Sequence, residues 1–240
     1  MKNPFLSRFL SCLLSVTMLL CLAACDGGGT PEPPPADEEP PESAASMYLS
    51  LREKVNAVGG RLCVRASSYL QIDNAALRVE LYAATDGEGV YQSTDFSTDG
   101  KWMLTSHAYT NGILRVNDTA TPITAAEYRA LYGFPSIPEL DAANLLSLSV
   151  HKELDGYCFT VSEAATSNTS FLQGMMGRDL YVLYVQAKAE TVFYTFHFDK
   201  EGNLDHLDVR LEMLVEGNLV SLTSTVRYAD FGTAYPIPPA

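Results

Sequence analysis

Residues 191–228 read TVFYTFHFDKEGNLDHLDVRLEMLVEGNLVSLTSTVRY, and their period of two decides the fold class. Leu207, Val209, Leu211, Met213 and Val215 alternate with Asp208, Arg210, Glu212 and Leu214. After Glu216-Gly217-Asn218, Val220, Leu222, Ser224, Val226 and Tyr228 alternate with Ser221, Thr223, Thr225 and Arg227. Neighbours on a strand point to opposite faces, so each strand has one wet face and one covered face. The preceding segment is apolar on both faces, with Val192, Tyr194, Phe196 and Phe198 on one and Phe193 on the other. Lys200-Glu201-Gly202 reads as a three-residue hairpin loop with its glycine in the left-handed region. Counting outward sets Asp199 opposite Asn203, His197 opposite Asp205, and Phe196 opposite His206. This register puts His197 and His206 on opposite sides of the sheet and predicts that they share no metal.

Upstream, the same alternation recurs. Leu62, Val64, Ala66, Ser68 and Leu70 share one face, as do Leu77, Val79, Leu81 and Ala83. Further strands are predicted at 90–96, 101–109 and 113–116, with Asn111-Gly112 as a tight turn between the last two. A helix is predicted from a cap at Ser46 to Val58, ended by Gly59-Gly60. In the middle, Thr124-Ala125-Ala126-Glu127 reads as a capping box, and Ser136-Ile137-Pro138-Glu139 as a second one opening a helix through Leu145 and Leu146. Strands return at 149–152 and 157–162. Residues 170–186 fit either a helix or, from Tyr181, the start of a strand. Helices and an antiparallel sheet in one chain give an α+β class.

The first 46 residues have another character. Lys2 and Arg8 precede an apolar run from Phe9 to Leu22, and Leu22-Ala23-Ala24-Cys25 follows. A basic start, an apolar core and small residues before a cut mark a secretory leader, 1–24. Residues 26–46, DGGGTPEPPPADEEPPESAAS, hold no large apolar side chain. Proline and like charges extend such a segment, to roughly 65 Å at about 3.1 Å per residue. The organisation read from the sequence is therefore a leader (1–24), Cys25 with a tether (25–46), and one domain (47–240). The 240-residue chain carries a net charge of −13. Acidity argues against nucleic-acid partners, because phosphates demand Lys and Arg.

Leu-x-Ala-Cys at the end of the leader resembles the bacterial lipobox. The resemblance implies lipid on Cys25, cleavage before it, and an extracytoplasmic protein anchored to the cell membrane. Asp26 is similar to an inner-membrane retention signal and the glycine run to Gram-positive surface lipoproteins, so either envelope fits. Beyond the tether, the strand meander, the helical middle, FDKEGNL, two long alternating strands, YADFG and IPP together resemble the LolA/LppX-like lipoproteins. That family implies a strongly curved antiparallel half-barrel sheet, with helices covering its concave face over an apolar cavity. The expected function is binding or carrying a hydrophobic ligand, a lipid or acyl chain. The alternative is a lipid-anchored interaction module with a solid core and an envelope protein partner.

No serine-hydrolase, zinc-protease, phosphate-loop or calcium-loop motif is present, and no enzyme activity or cofactor is expected. Asp199–Asn203 is read as a turn, and the four histidines as strand-face residues. Met175 and Met176 line a pliable pocket or fill a core, and Trp102 packs in a core or stacks on a ligand. Phe196, Val209, Leu211 and Met213 complete the expected ligand-binding set. Cys63 and Cys158 either bond to each other or stay as buried free thiols, and neither is expected to be catalytic.

Overall fold

In the computed structural model, residues 43–72, 75–85, 89–98, 101–117, 119–134, 136–186, 191–215 and 217–229 are described. All of them belong to the unit Pro40–Ala240. The leader, Cys25, most of the tether and the terminal IPP lie outside them, as do the side chains of Trp102 and Tyr184.

Among the described residues eleven strands make one antiparallel sheet. The first six are β1 (Leu62–Ile72), β2 (Ala75–Thr85), β3 (Val90–Thr98), β4 (Lys101–Thr110), β5 (Ile113–Val116) and β6 (Thr119–Pro122). The rest are β7 (His151–Lys152), β8 (Gly156–Ala164), β9 (Thr191–Asp199), β10 (Leu204–Val215) and β11 (Asn218–Ala229). Their spatial order is β6-β5-β4-β3-β2-β1-β11-β10-β9-β8-β7. Two meanders thus meet where β1 pairs with β11, and β6 and β7 remain as edges of an open sheet. Strand β6 was not read from the sequence. It is fully exposed and ends in Pro122, both features of an edge. Asn111 and Gly112 take φ of 51° and 75°, as the tight turn before β5 requires.

The alternating faces sort as expected. Leu207, Val209, Leu211 and Met213 of β10 and Val220, Leu222 and Val226 of β11 are buried in one core cluster with Val192, Tyr194, Phe196 and Phe198 of β9. Ser68 and Ser224, paired across β1 and β11, satisfy each other in this core with a 2.6 Å hydrogen bond.

Among the described residues four helices accompany the sheet: α1 (Ala44–Ala57), α2 (Ala125–Tyr132), α3 (Ala142–Leu145) and α4 (Thr169–Gln186). Helix α1 starts three residues before the expected domain boundary. Its cap is Ser43, whose hydroxyl accepts from Ser46 N, so Ser46 lies inside the first turn. The capping box of Thr124 and Glu127 forms as read. The second box does not. The Tyr48 hydroxyl donates to Pro138 O and accepts from Leu140 N, both at 2.8 Å. Asn168 likewise holds both backbone groups of Glu139. With those groups bound by distant side chains, helix begins only after Asp141, whose carboxylate caps a single turn. Residues 170–186 are helical, with a break at Gly177 (φ 70°, ψ 165°).

The hairpin register differs from the count. Asp199 N bonds Asn203 O at 2.9 Å, and Leu204 pairs with Phe198, as expected. The ladder then shifts by one, so that His206 pairs with His197 and Leu207 with Phe196. Asp205 is the extra residue of a β-bulge. His197 and His206 therefore share the face turned away from the core, which corrects the reading that set them on opposite sides.

Candidate functional site

The six residues expected to line a ligand site come together, but they fill space rather than enclose it. Met175, Met176, Phe196, Val209, Leu211 and Met213 are all buried in the main core cluster. Phe196 stacks on Phe159 at 5.0 Å and meets the edge of Tyr48 of α1 at 5.9 Å. Of the six, Met176 alone lines one of the cavities described below.

The cavities lie instead against the first meander. One of about 240 Å³ is lined by Gln92 and Thr94 of β3, Thr105 and His107 of β4, and Tyr132 and Met176 of α2 and α4. A second of about 280 Å³ is lined by Val55, Leu62, Val90, Tyr109, Tyr128 and Phe134. A ring stack joins them. Tyr109 lies 4.9 Å from Tyr128, Tyr128 lies 5.5 Å from Tyr132, and Tyr132 lies 4.0 Å from His107. His107 Nε2 is 3.0 Å from the Tyr128 hydroxyl. His107 and Tyr132 face the first cavity, and Tyr109 and Tyr128 face the second.

Two glycines allow this arrangement. Gly133 ends α2 with φ +61°, and a Cβ there would lie 2.2 Å from Ser170 O at the start of α4. Gly177 breaks α4 beside Thr94, whose Cγ2 would lie 3.3 Å from an added Cβ. The break brings Gly177 and Arg178 to the first cavity.

Electrostatics keep the stack neutral. Burial lowers the His107 pKa to about 4, leaving its ring uncharged at neutral pH. Burial first, then the neighbouring Tyr132, raises the Tyr128 phenol well above its ordinary range. Gln92 is buried in the wall of the first cavity. Its Nε2 donates to Gly174 O at 2.9 Å, while its Oε1 has no hydrogen-bond partner. The first cavity thus has a mixed wall, with Met176, Val116 and Tyr132 beside Gln92, Thr94, Thr105 and His107. The sequence marks His107 only as a strand-face residue, and the fold turns that face into the cavity wall. The tyrosines at 128 and 132, one turn apart on a short helix, were the available signal for an aromatic wall.

Cys63 and Cys158 are not joined by a disulfide. Cys63 sits on β1 and Cys158 on β8, with three strands between them. Four spacings of about 4.8 Å far exceed the ~7 Å Cα separation a disulfide can bridge, so the bonded alternative is corrected. Cys158 does have a histidine beside it, His197 across the ladder. Burial first, then Glu153, nevertheless pushes the Cys158 thiol up to about 11, the opposite of an activated nucleophile.

No protein-family model matches the chain, and no curated protein does. Among solved structures, a porin-like protein from Bacteroides uniformis is similar over 70% of this chain and 96% of its own, at 8% identity and a TM-score of 0.30. An N-terminal dehydratase from the difficidin assembly line matches 77% of this chain and 84% of its own, at 7% identity and a TM-score of 0.16. A dehydratase domain from the terminal module of the rifamycin polyketide synthase matches 79% and 82%, at 10% identity and a TM-score of 0.19. Likenesses this distant assign neither a ligand nor a reaction to the chain.

Proposed function

We propose that this chain is an extracytoplasmic lipoprotein, anchored to the cell membrane by lipid on Cys25, whose domain binds or carries a hydrophobic ligand. In this reading the sheet is a strongly curved half-barrel with helices over its concave face. The leader, Leu22-Ala23-Ala24-Cys25 and the Pro/Glu tether support the anchor. No helix among the described residues is long and apolar enough to cross a membrane. One acyl chain holds only marginally, so a lasting anchor at Cys25 takes two or more.

The observation that carries the ligand reading is the pair of cavities sharing the Tyr109–Tyr128–Tyr132–His107 stack. Each is close to the roughly 300 Å³ lower end of ligand pockets. Their walls combine aromatic and aliphatic side chains with polar ones, Thr94 and Thr105 among them, and Arg178 lies alongside the first. That pattern suits an acyl chain with a polar end. The ligand set read from the sequence moves accordingly from β9 and β10 to the β3–β4 half of the sheet.

The experiment is mass spectrometry of the organic extract of the purified chain, together with titration of a fluorescent fatty-acid probe. Thr105→Trp, at an exposed position on the first cavity, should leave folding intact and weaken probe binding. If the parent chain binds no probe and carries no extractable lipid, the ligand reading fails.

A second reading is an interaction module with an envelope protein partner. The filled core around Phe196 and Leu211 favours it, as do Leu131, Val182 and Val185, which are exposed around an apolar hollow beside α2 and α4.

A further inference from the structure

The β9–β10 bulge assembles a cluster that alternation alone would have kept apart. We propose that His197, His206 and Asp208 form a binding site for a divalent transition-metal ion of the zinc type, on the sheet face turned away from the core. Glu153 and Asp205 orient its two imidazoles.

The argument starts from the nitrogen atoms. His197 Nδ1 lies 3.0 Å from Glu153 Oε2, and His206 Nδ1 lies 2.6 Å from Asp205 Oδ2. A carboxylate on one ring nitrogen takes that N–H and leaves the lone pair on the other, the arrangement found behind metal-ligating histidines. The two free nitrogens converge on one oxygen. Asp208 Oδ2 is 3.5 Å from His197 Nε2 and 3.8 Å from His206 Nε2. Both distances exceed an ordinary hydrogen bond. His197 Nε2 is buried and has no hydrogen-bond partner. The other oxygen of Asp208 is held by Thr225 Oγ1, which donates to Oδ1 at 2.6 Å. Every ligand therefore has a supporting partner on its far side, and the near sides point at one another.

The charges fit a cation. Three carboxylates, Glu153, Asp205 and Asp208, surround two imidazoles, on a chain of net charge −13. The donor type selects among cations. Imidazole suits zinc, copper, iron or nickel, whereas calcium and magnesium take oxygen. Cys158 joins Glu153 and His197 in an overlapping cluster, adding a sulfur donor at the edge.

The space fits with a small adjustment. Zinc–nitrogen bonds of about 2.0–2.1 Å in tetrahedral geometry need ligand atoms about 3.4 Å apart. In the His197–His206–Asp208 group the ligand atoms lie within 4.8 Å of one another. The two rings are stacked almost parallel, so a metal between them requires each to tip about its Cβ–Cγ bond. His197 and His206 side chains are 17% and 21% exposed and Asp208 is 47% exposed, so a cation would reach the group from the Asp208 side.

The test is calorimetric titration of Zn²⁺ into the full chain after chelator treatment, repeated with Ca²⁺. One equivalent of Zn²⁺ should bind, and Ca²⁺ should bind much more weakly. His206→Gln and Asp208→Asn should each weaken Zn²⁺ binding at least about tenfold, and Glu153→Gln by about tenfold through the orientation of His197. His151→Gln, on the neighbouring β7 but outside the cluster, should change nothing. Should a variant fail to fold, the parent chain loaded with Co²⁺ still decides: its visible spectrum should report nitrogen ligation. Absence of Zn²⁺ uptake by the parent, equal uptake of Ca²⁺, or Co²⁺ bands from oxygen ligands alone would overturn the site.

Discussion

The imidazole of His197 stacks on that of His206, with ring centroids 4.2 Å apart and planes 10° from parallel. Strand pairing without a bulge would send these rings to opposite faces of the sheet. One extra residue, Asp205, brings them together and at the same time keeps Leu204 and Leu207 both buried.

Removing Asp205 should therefore be tolerated. A deletion inside a regular strand flips every later side chain to the other face. Here the deletion leaves Leu204 opposite Phe198 and His206 opposite His197, and the ladder becomes regular. Urea unfolding should find a loss below about 2 kcal/mol, at the ordinary scale of a point change. Deleting Arg210 from the same strand should unfold the domain. Equal damage from both would refute the bulge assignment.

Leu211 is fully buried and packed among β9 and β11 side chains. Leu211→Trp should overpack this region and cost about 1–3 kcal/mol. A variant as stable as the parent would show that unfilled space lies against Leu211 after all.

Burial holds the His107 pKa at about 4, against 6.5 for a free histidine. Between those values the unfolded chain takes a proton that the folded chain refuses. The His107 contribution is thus present in full above pH 6.5 and is lost as pH falls toward 4, on the order of 3 kcal/mol in total. His107→Phe keeps a ring in the stack and removes the titration. The difference in unfolding free energy between parent and variant should shift in favour of the variant between pH 7 and pH 4.5. Parallel pH profiles would show that His107 titrates normally.

Gly133 and Gly202 both have positive φ, but their surroundings differ. An added Cβ meets backbone at 2.2 Å at Gly133 and nothing within 4 Å at Gly202. Gly202→Ala should cost about 1 kcal/mol from backbone strain alone. Gly133→Ala should cost well over 2 kcal/mol, because α2 and α4 must also separate. Thermal melts of the two variants check the order.

Much of the fold was legible because it is written at short range. Alternation along β10 and β11 marked the core face residue by residue, and Thr124 with Glu127 marked the start of α2, since both signals act within a few residues. The bulge also left a trace. Leu204 lies at an even position, and Leu207, Val209 and Leu211 at odd ones, so the apolar parity changes across Asp205 and His206. What the chain could not show locally are groups joined across its length. Tyr48 and Asn168 bind the backbone of residues 138–140 and prevent the helix that Ser136–Glu139 favours. The cavity wall needs α2 against β4, and the histidine pair needs β8, β9 and β10 side by side. Sequence alone decided which residues turn inward, because burial of an apolar face depends on local period. Tertiary structure decided where the inward faces leave space and which outward polar groups meet, because those depend on the register of strands and the approach of helices.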